Sequence, residues 1–208
     1  MAFYCDYIFP MLNGRADPSV VSRARATLLA RASGDVLEIG FGTGKSLPHY
    51  SRKVDSLTIV EPAKGMNHKT RKKLAQAEFP VHINELGAER LPFDDQRFDY
   101  AVTTKTLCSV DNVQTVLSEL LRVLKPNGKL LVLEHVLSKD PSIQRWQQRL
   151  NPLQRRIGCG CHLTRDIVSA LDNVGFEFAQ IDYLQGGAGQ DGTRFMPIVS
   201  GEATLPMN

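Results

Sequence analysis

The sequence predicts an α/β fold: a mostly parallel sheet with helices on both faces, closed by a terminal antiparallel hairpin. Three observations predict it. Short β-branched runs alternate with helical patterns, a glycine-rich loop follows the first of those runs, and two strand-like segments near the end flank a turn-rich stretch. With 208 residues the chain suffices for one domain with a full hydrophobic core.

The elements follow in order. DVLEIG (35–40) reads as a buried strand, SLTIVE (56–61) as a second, VHINEL (81–86) as a third, FDYAVTT (98–104) as a fourth and KLLVLEH (129–135) as a fifth. From Val113 to Leu124 apolar residues fall at 113, 116, 117, 120, 121 and 124, a helical period, and Pro126, Asn127 and Gly128 stop that helix before the fifth strand. Thr164 to Val174 is a second marked helix, with Thr164 as N-cap, Asp166 in the first turn and Gly175 as the stop. FEFAQIDY (176–183) and TRFMPIVSG (193–201), separated by QGGAGQDG, form the closing hairpin. This divides a single domain, 1–208, into an N-terminal helical cap (1–33), an alternating strand–helix core (34–137), an insertion (138–165) and a C-terminal helix with hairpin (166–208).

Composition excludes more than it assigns. A formal charge of +3 is too small to make nucleic acid the default partner. Four cysteines (Cys5, Cys108, Cys159, Cys161) are too sparse for a disulfide framework, and MAFYCDYIFPML has neither the basic start nor the apolar run of a signal peptide, so a cytoplasmic setting is expected. No stretch approaches the roughly 20 apolar residues of a bilayer span, which leaves only peripheral membrane contact.

The strongest chemical signal is VLEIGFGTGKS, Val36 to Ser46. A strand ends in Glu38, and Gly40, Gly42 and Gly44 follow at every second position, letting the backbone turn sharply and approach a ligand. A P-loop needs a glycine where Ile39 stands, and a dinucleotide fingerprint needs its third glycine where Lys45 stands. The remaining reading is S-adenosylmethionine, whose cationic amino-acid end suits Glu38. Glu61 closes the second strand, where a carboxylate accepts both ribose hydroxyls. Ala88 and Glu89 follow the third strand, at the loop that edges an adenine.

VLEIGFGTG, IVEP, AERLPFDDQRFD and LLRVLKPNGKLLVLEH together resemble the class I S-adenosylmethionine-dependent methyltransferases over residues 35 to 137. The resemblance implies a Rossmann-like, seven-stranded sheet of order 3-2-1-4-5-7-6 with the seventh strand antiparallel. It places the cofactor, S-adenosyl-L-methionine with S-adenosyl-L-homocysteine as product, at the carboxyl ends of strands 1, 2 and 4. That set adds Pro62 and Thr104 to the candidate contacts. Many members carry an acid where this chain has Gly87, so adenine recognition falls to the backbone of Ala88 and Glu89. LCSV (107–110), LEHV (133–136), the Trp146 segment and CHLTRD (161–166) further resemble the methyltransferase-like thiol S-methyltransferases and their bacterial relatives. The acceptor implied is a small molecule, a thiol first, with phosphatidylethanolamine-type lipids and quinone precursors as alternatives. A non-enzymatic cofactor-binding regulator is the remaining option.

Methyl transfer asks the protein for alignment and exclusion of water, and a thiol needs only modest help to ionise. His135, ending the fifth strand on the cofactor side, is the first candidate for a base or an acceptor-positioning group, and His162 the second. Pro141 to Arg165 carries five arginines and no acid, with Ile143, Trp146 and Leu150 on one face and Asn151-Pro152 breaking the helix. With Phe3 to Leu12 it reads as a lid over the acceptor pocket, and a cationic amphipathic helix also suits an anionic lipid surface. GCGCHLTR (158–165) looks like a metal motif, but one residue separates Cys159 from Cys161 where zinc sites leave two to four, and no second cluster accompanies it. No metal is expected. The stretch reads as a turn beside the acceptor pocket, its thiols and His162 as candidate lining.

Overall fold

The computed structural model describes residues 17, 19–62, 68–184 and 196–205. Five α-helices and seven strands lie among them, in the order α1 (Ser19–Leu29), β1 (Gly34–Ile39), β2 (Val54–Val60), α2 (His68–Leu74), β3 (Val81–Asn84), β4 (Phe98–Thr104), α3 (Val113–Val123), β5 (Leu124–His135), α4 (Pro141–Ile157), α5 (Ile167–Asn173), β6 (Glu177–Leu184) and β7 (Ile198–Thr204). The strands form one sheet of order β3-β2-β1-β4-β5-β7-β6. Neighbours from β3 to β5 run parallel, whereas β7 pairs antiparallel with both β5 and β6. The expected order and the terminal antiparallel hairpin are both present.

Alternating side chains along the central strands feed two separate cores. On one face Leu37 and Ile39 of β1 join Leu130 and Val132 of β5, packed under Leu117 and Leu120 of α3 and Ile167 and Leu171 of α5. On the other face Val36, Leu131 and Leu133 pack against Val21, Leu28 and Leu29 of α1. Helices on both faces are what continuous apolar strands require, because neither side of such a strand tolerates water.

Four local expectations are corrected. Leu124 leaves α3 and enters β5 without a loop: Phe98 pairs with Leu124 and Tyr100 with Lys129, so the Pro126-Asn127-Gly128 stretch is absorbed as an irregularity inside the strand. Asn151-Pro152 does not break α4, which runs through Pro152 to Ile157. Its start is fixed by Pro141 in the first turn and by Asp140, whose carboxylate accepts from the Ser142 N–H at 2.8 Å. The cap of α5 is Asp166, accepting from the Ser169 N–H at 3.0 Å, rather than Thr164, because an acceptor three residues ahead reaches the orphan donor. Finally, β3 ends at Asn84 and β7 spans 198–204; the start of the expected last strand, residues 193–195, lies outside the described residues, as do Phe3 to Leu12 and Cys5.

Candidate active site

The carboxyl ends of β1, β2, β4 and β5 open on one cavity of about 380 Å³, within the range of roughly 300–1,000 Å³ usual for small-molecule sites. Its wall includes Gly40, Gly42, Glu61, Thr104, Cys108 and His135, and α4 with the turn after it contributes Gln154, Gly158, Cys159 and Cys161. Backbone strain gathers there. Of the three described non-glycine residues with positive φ, Lys105 (59°) and Cys159 (48°) both line the cavity.

The glycine loop is shaped by its two ends. Gly40 donates to the Val60 carbonyl at 2.9 Å, and a Cβ at Gly40 would collide with Thr106, whose hydroxyl donates to the Gly40 carbonyl at 3.2 Å. Gly42 has φ 54°, and a Cβ built there meets nothing within 4 Å. The backbone is bare where it faces the cavity. Its N–H donates to Glu61 Oε2 at 2.8 Å, tying loop to second strand, while burial raises the Glu61 carboxyl above its ordinary value against that bond.

Glu38 lies one layer behind this wall and is not part of it. Residue 38 is fully buried, its Oε2 accepting from Tyr50 Oη at 2.8 Å and its Oε1 facing Thr104 Oγ1 at 3.5 Å. Burial pushes its carboxyl up to about 7, against the bonds from Ser46 and Tyr50 and the nearby Arg25. Ala88 is buried in the core and Glu89 lines a separate surface recess with Gly87, so neither reaches the cavity. Pro62 is exposed and also outside the lining. His162 is likewise absent from the lining; its backbone N–H donates to the Cys108 carbonyl at 2.8 Å, a structural link between two loops.

Sequence reasoning missed the cations. Arg25, Lys45 and Lys105 all line the cavity, and all three reach Asp17, at 2.6, 3.0 and 2.8 Å. Burial opposes ionisation of Asp17, but Lys105 and Arg25 outweigh it and hold the carboxyl well below the usual range. No periodic pattern announces such a hub, since its members come from separate segments.

It also missed a second assembly in the wall of the same cavity. Cys108, His135 and Cys161 converge there, with Cys161 Sγ at 3.5 Å from Cys108 Sγ and His135 Nδ1 at 3.8 and 3.7 Å from the two sulfurs. The Cys108 contact, with help from His135, draws Cys161 down, while that same contact and burial push Cys108 up. The loop carrying Cys108 is fixed from below by Glu134, fully buried, whose carboxylate accepts from the N–H groups of Thr106 (2.8 Å), Leu107 (3.0 Å) and Cys108 (3.4 Å). Arg165 closes the loop from the far side, donating to the carbonyls of Leu107 (2.6 Å) and Val110 (2.8 Å).

The strand order and a glycine loop opening onto a cavity at the strand ends define the class I S-adenosylmethionine-dependent methyltransferase architecture. A methyltransferase domain family model matches residues 37–132. Thiol S-methyltransferase TMT1B of Rattus norvegicus is 31% identical over 191 residues, covering 86% of this chain and 78% of that one. Phosphatidylethanolamine N-methyltransferase of Cereibacter sphaeroides is 32% identical over 130 residues, covering 62% and 63% respectively. Among solved structures, the Burkholderia thailandensis 1,6-didemethyltoxoflavin-N1-methyltransferase, crystallised with S-adenosylhomocysteine, superposes with a TM-score of 0.66 at 16% identity over 97% of this chain and 86% of that one, a likeness of fold. The chain belongs to the S-adenosylmethionine-dependent methyltransferase family, and S-adenosylmethionine is its cofactor.

Proposed function

We propose that the chain methylates a small-molecule thiol on sulfur, with the cofactor against the glycine loop and the acceptor between it and the Cys108–His135–Cys161 end. The observation that carries this reading is the make-up of that end: two sulfurs and an imidazole, with Glu61 the only carboxylate among the described lining residues, and that one bonded to the glycine loop. An aliphatic hydroxyl needs a strong base, whereas a thiol of pKa about 8.5 does not. The identity to a thiol S-methyltransferase over most of both chains supports the same acceptor.

S-adenosylmethionine supplies a methyl already activated on a sulfonium. Gly42 lets the backbone come close to the cofactor, and Glu61 is placed for the ribose. Glu38 acts through Thr104 and Ser46 on the positive end, and His135 positions the acceptor. In a screen of thiols, phenols, amines and phospholipid vesicles, followed as S-adenosylhomocysteine formation, thiols are expected to turn over fastest. Silence from every thiol with turnover of a phenol or lipid would overturn the assignment. The lipid reading is favoured by one observation: Trp146, Leu150, Leu153 and Ile157 of α4 are 40–56% exposed beside exposed arginines. Co-sedimentation with anionic vesicles separates the two.

Glu38 also makes cofactor affinity depend on pH. Its carboxyl, raised to about 7, must ionise to favour a cationic ligand, so affinity for S-adenosylmethionine should rise by up to tenfold per pH unit below 7 and level off above it. The folded state binds the Glu38 proton more tightly than the unfolded chain, so the stability this group contributes is lost as pH rises from 4.5 to about 7. Glu38→Gln should remove the Glu38 share from both curves, leaving on the stability curve the shares of Glu61 and Glu134, whose carboxyls burial also raises; a pH-independent affinity in the unaltered protein, measured calorimetrically, would remove Glu38 from the binding scheme.

A further inference from the structure

We propose that Cys108, His135 and Cys161 bind a zinc ion whose fourth coordination position faces the cofactor cavity and takes the acceptor thiolate. The expectation of no metal rested on ligands within GCGCHLTR alone. The fold contributes two from elsewhere: Cys108 from the loop after β4 and His135 from the last position of β5.

The triangle has the right size. Zinc–sulfur bonds of about 2.3 Å and zinc–nitrogen bonds of about 2.0 Å at tetrahedral angles put two sulfurs about 3.8 Å apart and sulfur about 3.6 Å from nitrogen. The three observed edges are 3.5, 3.8 and 3.7 Å. An ion fits among the ligand atoms without moving any of them by more than a few tenths of an ångström. Two soft thiolates and a borderline imidazole select zinc over the oxygen-seeking cations, and three protein ligands with one position left open are the pattern of catalytic rather than structural zinc.

The surroundings hold the ligands in place. Glu134 fixes the Cys108 backbone, the Cys108 carbonyl receives the His162 N–H, and the Cys161 N–H donates to the Gly158 carbonyl at 3.1 Å. Each sulfur thus rides on a loop whose backbone is bonded to the other loop or to β5, the kind of outer support metal ligands need. All three ligand residues line the cavity that holds the glycine loop, so the open position looks toward the cofactor.

The role in transfer rests on the thiol reading above. Two protein thiolates neutralise the ion's double charge. An acceptor thiol joins as a third thiolate, its proton passing to solvent, and the site then carries a net negative charge facing a sulfonium. A sulfur lone pair forms the new bond to the methyl carbon, and the old carbon–sulfur bond breaks with its electron pair remaining on the cofactor sulfur. The products are a thioether, S-adenosylhomocysteine and the released proton. A neutral thioether is a weak ligand and leaves.

The full chain, loaded with zinc and desalted, is expected to retain about one ion by mass spectrometry. The Cys108→Ser/Cys161→Ser double variant should bind zinc more than a hundredfold more weakly while still binding S-adenosylhomocysteine. Cobalt substitution should give a thiolate-to-metal charge-transfer band in the unaltered protein, a readout that does not depend on the variant folding, and 2-mercaptoethanol should intensify it. No retained zinc and no such band, or zinc held equally well by the double variant, would overturn the site. A bound ion whose cobalt spectrum ignores 2-mercaptoethanol would overturn the open position. Zinc retained while phenols rather than thiols are methylated would instead overturn the thiol assignment and leave the metal standing.

Discussion

Gly42→Val should reduce affinity for S-adenosylhomocysteine by at least about a hundredfold while leaving a folded protein. At φ 54° a branched residue sits in the left-handed region, which costs about 1–2 kcal/mol. For a chain of this size that is a fall of roughly 5 °C in Tm. Beyond its two chain neighbours no described atom lies within 4 Å of the new Cβ, so the side chain meets open space on the cavity wall rather than the protein interior. The loss is therefore of binding more than of folding. Gly40 offers no such separation, because a side chain there collides with Thr106 and displaces the loop itself. Isothermal titration beside a thermal melt distinguishes the two effects, and unchanged affinity in Gly42→Val would move the cofactor elsewhere.

The second large effect is expected at Glu134. Glu134→Ala removes the acceptor of three backbone N–H groups at once, those of Thr106, Leu107 and Cys108. An unsatisfied buried donor costs about 1–3 kcal/mol, and the vacated volume adds to it. A loss of about 4 kcal/mol follows, roughly 10 °C in Tm at this chain length. Glu134→Gln keeps the volume and one carbonyl oxygen, so it should recover more than half of that. Urea melts of the two variants against the parent check it, and an Ala variant within about 0.5 kcal/mol of the parent would mean that the carboxylate does not organise this loop.

The sheet was readable because its central strands are buried on both faces. Val36, Leu37 and Ile39 of β1 and Leu130 to Leu133 of β5 serve two cores, and such runs, interrupted in β1 only by Glu38, are visible without any tertiary knowledge. The glycine loop was readable for a similar local reason: its special backbone geometry is encoded by residues only two positions apart. Boundaries decided by one contact were harder. Leu124 continues directly from α3 into β5 because its pairing with Phe98 outweighs the turn chemistry that follows, and Pro152 stays inside α4 despite its missing donor.

The candidate site divides along the same line. Gly40, Gly42, Glu61, Thr104 and His135 line the cavity, whereas Gly44 is buried outside its lining. Glu38 misses it because its carboxylate is held by Tyr50 behind the wall, and Ala88 and His162 because one is core and the other serves through its backbone. What stayed hidden depends on long-range juxtaposition. Cys108 and Cys161 are 53 residues apart and Cys108 and His135 are 27 apart. Only the position of each at the end of an element on the cofactor side hinted that they would meet.

The placement of β7 bears on how the molecule is made. It follows β6 along the chain, yet it lies between β5 and β6, and its pairing is the link that holds β6 to the sheet. A nascent chain emerging from a ribosome can therefore assemble β1 to β5 with their helices while β6 waits without a hydrogen-bonding neighbour. The buried strand Ile198–Thr204 supplies both pairings, to β5 and to β6, when the terminal hairpin docks. Because that step joins segments distant in sequence, it carries the entropic burden of long-range pairing. The unfinished edge of β5 is the surface that synthesis leaves exposed the longest.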